Sequence, residues 1–313
     1  MILHKIYNHR SQDTLEQDIF IIFVYDSVAD LMKSIEQQHK FRRAGFPPKL
    51  TDAEVITIEI CAEFLKKNTD PDAYKYFRRH YLHFFPNLPH RTNYARQAAN
   101  LWQVKAMCQQ KITQICGQNS DNLQPIDTMP LPVCTYTRGG RRDKRFPTTA
   151  DYGHCAAKKT DYYGFKLGIR ISRIGMIIYY PLRVARAHDV NHLGTLLENF
   201  AGLVPADKGF IDQYQQKLWQ QVQQTQVVTP VRSNMQTSEE QATLVRRTSY
   251  WRKRVETVNS QLTERFNMTK IKVKDLWHYQ NRINRKILAH TVGVFFNIML
   301  GNQPLQLAGL IID

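Results

Sequence analysis

Three acidic residues stand in surroundings that do not favour an acid. Asp127 interrupts Ile126-Asp127-Thr128-Met129-Pro130, an apolar and β-branched run that predicts a strand. Aspartate is disfavoured in strands, and a carboxylate amid such neighbours is costly to desolvate unless a cation compensates it. Asp207 ends a second short apolar run, Val204-Pro205-Ala206-Asp207, and Glu256 follows Arg252-Lys253-Arg254-Val255 on a helical segment. Hard carboxylate oxygens select Mg2+ or Mn2+. Two such ions about 3.5–4 Å apart can activate a water or a 3′-hydroxyl and stabilise the leaving oxygen of an in-line phosphodiester displacement. No side-chain nucleophile is needed. Each acid also has a plainer reading: Asp127 could start a turn before Pro130, Asp207 could cap the helix after Gly209, and Glu256 could pair with Arg252 one turn earlier. Together these require three coincidences.

The rest of the chain suits a polyanionic substrate. Lys and Arg number 43 against 27 Asp and Glu, a formal net charge of +16, with a pI near 9.7. That excess is unlike a typical small-metabolite enzyme and points to nucleic acid. The bases are interleaved with apolar residues, so the charge belongs to a folded surface and not to a disordered tail. Arg138, Arg141, Arg142, Lys144 and Arg145 crowd a Gly-containing loop; Lys158, Lys159 and Lys166 lead into a strand; Lys208 follows Asp207; Arg246 to Arg254 surround Tyr250 and Trp251. Nearer the start, Lys75, Arg78, Arg79, His80, His83, Arg91 and Arg96 alternate with Tyr74, Tyr76, Tyr81 and Tyr94, the pattern of a DNA-contacting helical face. Of these, Lys166, Lys208, Arg252, Arg254, Arg141, Arg142, Arg78 and Arg79 are the expected nucleic-acid contacts. Lys270, Lys272 and Lys274 alternate with Ile271 and Val273 as an exposed basic edge.

Other chemistries are poorly supported. The five cysteines form no CxxC pair, which fits reduced thiols in a reducing cytosol better than disulfides or zinc. His154-Cys155 lacks a second ligand pair, and Ile19–Tyr25 is too short to span a bilayer and follows Asp13, Glu16 and Asp18, unlike a signal peptide.

The elements that must position the acids follow from periodicity. Val24, Val28, Leu31 and Ile35 share a helical stripe. Pro47-Pro48 precede a second helix that opens with a Thr51/Glu54 capping box and a Leu50/Val55 staple. Helices are expected over 72–85 and from about Asn93 to Cys116. Beyond Gln118 the pattern becomes strand-like: 124–136, 165–172 and 176–185, the last two joined through Gly175. A helix capped by Asp189 follows, then a strand ending near Asp207, a helix over 211–222, a strand at Val227-Val228, and a last long helix through Tyr250 to Phe266. The fold class is therefore α+β: an N-terminal all-helical domain (1–119) for DNA binding and assembly, then a catalytic α/β domain (120–300) and a C-terminal tail (301–313). The order β-β-β-α-β-α-β-α is the ribonuclease H-like arrangement with a mixed five-stranded sheet, in which the first strand, the end of the fourth and a late helix converge.

At these residues the chain resembles the DDE-type insertion-sequence transposases, most closely the insertion sequence 982 family. The resemblance spans nearly the whole chain and is carried in order by 49–54 (KLTDAE), 85–88 (FPNL), 126–134 (IDTMPLPVC), 162–166 (YYGFK), 206–210 (ADKGF) and 254–256 (RVE). It implies that Asp127, Asp207 and Glu256 form the DDE triad with two Mg2+ or Mn2+ ions. It further implies that the partners are double-stranded transposon ends, with their terminal inverted repeats, and target DNA. Nicking followed by strand transfer of the 3′-hydroxyl, a homodimer or higher synaptic oligomer, and work at the bacterial nucleoid in the cytoplasm are also implied. Against the related signature Tyr-x2-Arg-x3-Glu-x6-Lys, Arg252 and Glu256 fit, Tyr250 stands one residue late, and Thr263 replaces the lysine. The segment 208–255 leaves no room for a large inserted domain. The alternatives are a ribonuclease H-like nuclease without strand transfer and a catalytically inactive DNA-binding regulator.

Overall fold

The computed structural model describes residues 15–41, 45–140, 143, 145–155, 159–232 and 238–312. The chain divides into two compact units: residues to Cys116 with Leu262–Met268 and everything from Val273 on, and Gly117–Gln261 with Thr269–Lys272.

The first unit is helical. Helix α1, Gln17–Glu36, buries the expected stripe of Val24, Val28, Leu31 and Ile35. Helix α2, Asp52–Phe64, starts at the expected capping box: the Thr51 hydroxyl accepts from the Glu54 amide, and the Thr51 amide donates to Glu54 Oε2 at 2.6 Å. Helix α3, Asp70–His80, is shorter than the expected 72–85, because Phe84 and Phe85 turn back to donate their amides to the Tyr81 carbonyl. The single helix expected over 93–116 is two, α4 (Arg91–Asn100) and α5 (Trp102–Ile115). At the break the Ala98 carbonyl is taken by the Leu101 amide and by the buried Lys105 amine at 2.8 Å, which replaces the lost ladder bond.

A 25-residue C-terminal helix, Leu276–Leu300, belongs to this helical unit, whereas the sequence pattern predicts a catalytic domain that runs to residue 300. Its start is the Asp275 carboxylate accepting from His278 N, and its end is Gly301 at φ +80°. The reason it joins these helices is chemical as well as apolar. Residues 281–294 are buried throughout, and Arg285 and Lys286 both reach Glu63 on α2, with Arg285 also 2.9 Å from Asp70. Lys105 of α5 pairs with Glu59.

The second unit is built on a long central strand. In chain order its strands are β1 (Ile126–Thr135), β2 (Asp151–Cys155), β3 (Thr160–Ile171), β4 (Ile177–Tyr179), β5 (Leu182–Val184), β6 (Gly202–Pro205) and β7 (Thr225–Val228). β3 pairs antiparallel with β1 along its length and with β2, β4 and β5 on its other side; Asp127 lies opposite Ile169. The turn after β3 uses Gly175 at φ +91°, as expected.

The expected mixed five-stranded sheet is not what forms: the five-stranded sheet is antiparallel, and β6 and β7 make a separate parallel pair. A single parallel bridge, Leu123 to Leu203, joins that pair to the segment before β1, with Gln124 N donating to Leu203 O at 2.9 Å. The next bond of such a ladder would need an N–H from residue 205, which is proline.

Strand alternation assigns the two faces of β1. Ile126 joins Leu193, Leu196, Leu197, Phe200 and Phe210 in a buried cluster built around helix α6, Leu193–Leu196. Asp127, one residue on, reaches the long helix α8, Glu239–Ser260, which follows α7, Gln213–Gln223. α8 continues as a single π-helical turn, Gln261–Arg265, so the helix expected to reach Phe266 changes its winding after Ser260. Among the described residues no helix is long and apolar enough to cross a membrane.

Candidate active site

Asp127 sits near the start of β1, Asp207 two residues past the end of β6, and Glu256 in the last third of α8. Arg252, one turn before Glu256, ties two of them: its Nη1 lies 3.4 Å from Asp207 Oδ1 and 3.3 Å from Glu256 Oε1. Both carboxylates are more than half exposed, so neither is held by burial. Asp207 does not cap the helix after Gly209, whose N-cap is Asp212, nor the 3-10 turn Lys208–Phe210; Glu256 does make the plain i−4 pair.

Asp127 is held most tightly. Its Oδ1 accepts the Thr128 amide at 2.8 Å, and its Oδ2 accepts from Asn259 Nδ2 at 2.8 Å. Burial raises its pKa to about 7; the Thr128 amide opposes that, and the negative charges of Asp189, Asp207 and Glu256 add to it. The other two acids therefore act electrostatically on Asp127.

Two partners of this cluster were not legible as such. Asn259, three residues after Glu256, shares its helix face, and the i, i+3 spacing was the available signal. Asp189, expected to cap a helix, makes no cap; its Oδ1 accepts from Thr128 Oγ1 at 2.6 Å and Lys166 Nζ at 3.0 Å.

The expected nucleic-acid contacts fare unevenly. Lys166 is turned inward, its side chain only 13% exposed, and its amine is shared by Asp189 and the Ala187 carbonyl. Arg252 is engaged with the two acids. Arg254 lies over the Tyr250 and Trp251 rings and donates to the Tyr250 hydroxyl at 2.8 Å. Lys208, Arg78 and Arg79 are exposed, and the last two line a cavity of about 550 Å³ with Tyr74, Lys75, His90 and Arg91. Arg141 and Arg142, with Lys144 and Lys158, lie outside the described residues.

The sequence of the second unit decides its kinship. A family model described as a transposase DDE domain matches residues 117–274, beginning where the second unit begins. The chain belongs to this transposase family. No curated protein and no solved structure matches it.

DDE transposase domains generally work with divalent metal ions. Among the described residues no group of three or more His, Cys, Asp or Glu is arranged to hold one; Arg252 stands between Asp207 and Glu256 instead. The donor chemistry nevertheless fits a hard cation. The acids are oxygen ligands, two of which place negative charge near Asp127, and the buried Asn259 Oδ1 beside Asp127 has no hydrogen-bond partner.

Proposed function

We propose that this transposase cuts DNA at the ends of a mobile element and transfers the freed 3′-hydroxyl into target DNA, with Asp127, Asp207 and Glu256 as the acidic triad. The observation that carries the reading is one nitrogen, Arg252 Nη1, within 3.4 Å of two of these acids while both raise the pKa of the third. A ribonuclease H-like catalytic unit is the matching architecture: from β4 and β5 across β3 to β1, and through the Leu123–Leu203 bridge to β6 and β7, the lateral order suits it. Membership in the insertion sequence 982 family rests on the ordered segments from 49 to 256.

Asp127, Asp207 and Glu256 would hold two Mg2+ or Mn2+ ions. Bound there, such ions would supply activation of a water or a 3′-hydroxyl and charge stabilisation at the leaving oxygen. Asn259 and the Thr128 amide keep the Asp127 carboxylate aimed. Arg252, once displaced from the two acids, is free to pair with a phosphate, where its planar fork suits the oxygens. Lys208, Arg254, Arg78 and Arg79 neutralise further phosphates along the duplex, with Arg141 and Arg142 expected to do the same. The partners are the terminal inverted repeats and target DNA, brought together by a homodimer or larger synaptic assembly in the bacterial cytoplasm at the nucleoid.

The deciding experiment incubates the protein with labelled inverted-repeat DNA from the flanks of its reading frame, a target plasmid, and Mg2+ or chelator. Metal-dependent nicking and joined product are expected, and both should vanish in Asp207→Ala while DNA binding persists. Normal nicking by that variant would refute the triad. Nicking without joined product would favour a plain nuclease, and no nicking with tight binding would favour a regulator.

A further inference from the structure

The active-site acids stand on separate elements, and one carboxylate outside the triad reaches the supports of two of them. Asp189 Oδ1 accepts from Thr128 Oγ1 at 2.6 Å, and Thr128 is the residue whose amide holds Asp127. The same oxygen accepts from Lys166 Nζ at 3.0 Å, and Lys166, on β3 opposite Pro130, is fixed further by the Ala187 carbonyl at 2.9 Å. Asp189 Oδ2 faces Gly209, two residues after Asp207, so closely that a Cβ on that glycine would fall 2.6 Å from it. Gly209 carries no positive φ, so its lack of a side chain is a matter of space and not of backbone conformation.

The carboxylate is not needed for local structure. The 3-10 turn Asp189–His192 has no side-chain cap, and the lysine it binds lies on a distant strand. Asp189 is bonded to the strand carrying Asp127 and lies against the loop carrying Asp207.

We infer that Asp189 is a positioning residue of the metal-binding site, clamping the Asp127 strand through Thr128 and Lys166 and seating the Asp207 loop against its other oxygen across Gly209. The inference rests on the triad reading and extends it to a fourth acid that binds no ion. Such partners behind metal ligands usually govern affinity by orientation, on the order of 10–100-fold.

The test is Mn2+ binding by the full-length protein, followed by electron paramagnetic resonance, with folding checked by circular dichroism. Asp189→Ala should weaken Mn2+ binding on the order of 10-fold or more. Asp189→Asn, which keeps an acceptor for Thr128 and Lys166, should recover part of the loss. Gly209→Ala should weaken binding to a similar degree by pushing the carboxylate aside, and should add little in the Asp189→Ala background, because the clash it causes is then gone. Losses that multiply in the double variant, or Asp189→Ala and Gly209→Ala proteins that bind Mn2+ as wild type does, would overturn the inference while leaving the triad standing. A wild-type protein that bound no Mn2+ would overturn the triad reading and this inference with it.

Discussion

In the helical unit Glu59, Glu63 and Asp70 meet Lys105, Arg282, Arg285 and Lys286; in the sheet unit Asp127, Asp189, Asp207 and Glu256 meet Lys166 and Arg252. Bases outnumber acids in the first cluster and acids outnumber bases in the second. Glu59, Glu63 and Arg285 are fully buried, so each charge there needs a protein partner at hand. At the site Asp207 and Glu256 share one guanidinium and face solvent, while burial first, and the neighbouring negative charges second, lift the Asp127 pKa to about 7. The same residue types thus serve two ends. Where neutralisation is complete, the acids join helices distant in sequence; where it is incomplete, positive charge must come from outside.

That contrast can be broken most sharply by removing acids one at a time. Asp127→Ala, Asp207→Ala and Glu256→Ala should each lower strand cleavage on the order of 10⁴-fold, about 5.5 kcal/mol of transition-state stabilisation, in a gel assay of nicked ends. For the exposed Asp207 and Glu256 the stability change should stay within about 0.5 kcal/mol by denaturant titration. Glu63→Ala should do the reverse, leaving Arg285 and Lys286 buried without their partner and destabilising the fold by about 3–5 kcal/mol in the same titration.

Supplying the missing charge is a milder probe. At 100 times its dissociation constant, Mg2+ should protect amides over 126–135 from hydrogen exchange by up to about 2.7 kcal/mol and leave 52–64 unchanged. Equal protection in both segments would erase the distinction. Asn259→Ala removes the donor to Asp127 Oδ2 and should cost cleavage about 1.5–3 kcal/mol, seen as a fall in kcat.

The most gradual effect concerns pH. His192 is fully buried, and burial first, the charges of Lys166 and Arg183 second, hold its pKa down to about 4. Below the ordinary value of 6.5 the unfolded chain takes up a proton that the folded chain refuses, so stability falls with pH by up to about 1.4 kcal/mol per unit until about pH 4. His192→Phe should flatten that slope in melts taken from pH 7 to 4.5; an unchanged slope would place the acid sensitivity elsewhere.

Local features were legible where local physics decides them. The Thr51/Glu54 box, the α1 stripe and the Gly175 turn depend on neighbours within one or two turns of chain. So did the three odd acids, since an aspartate in an apolar strand is conspicuous without any structure. The C-terminal helix carried its own signals in Asp275 and Gly301, yet nothing nearby in sequence says which unit it joins; that follows from Arg285 and Lys286 meeting Glu63 from over two hundred residues away. Likewise, Lys166 read as a free phosphate contact because its partner, Asp189, lies on another element.

The amino-acid sequence by itself determined which residues are chemically out of place, where helices and strands begin, and that the surface carries excess positive charge. Tertiary structure alone decided which charges cancel: Arg252 between Asp207 and Glu256, Asn259 on Asp127, Asp189 on Thr128 and Lys166. The reason is distance. Charge and hydrogen-bond pairing fall off within a few ångströms, and only the packed fold brings groups so remote in the chain within that range.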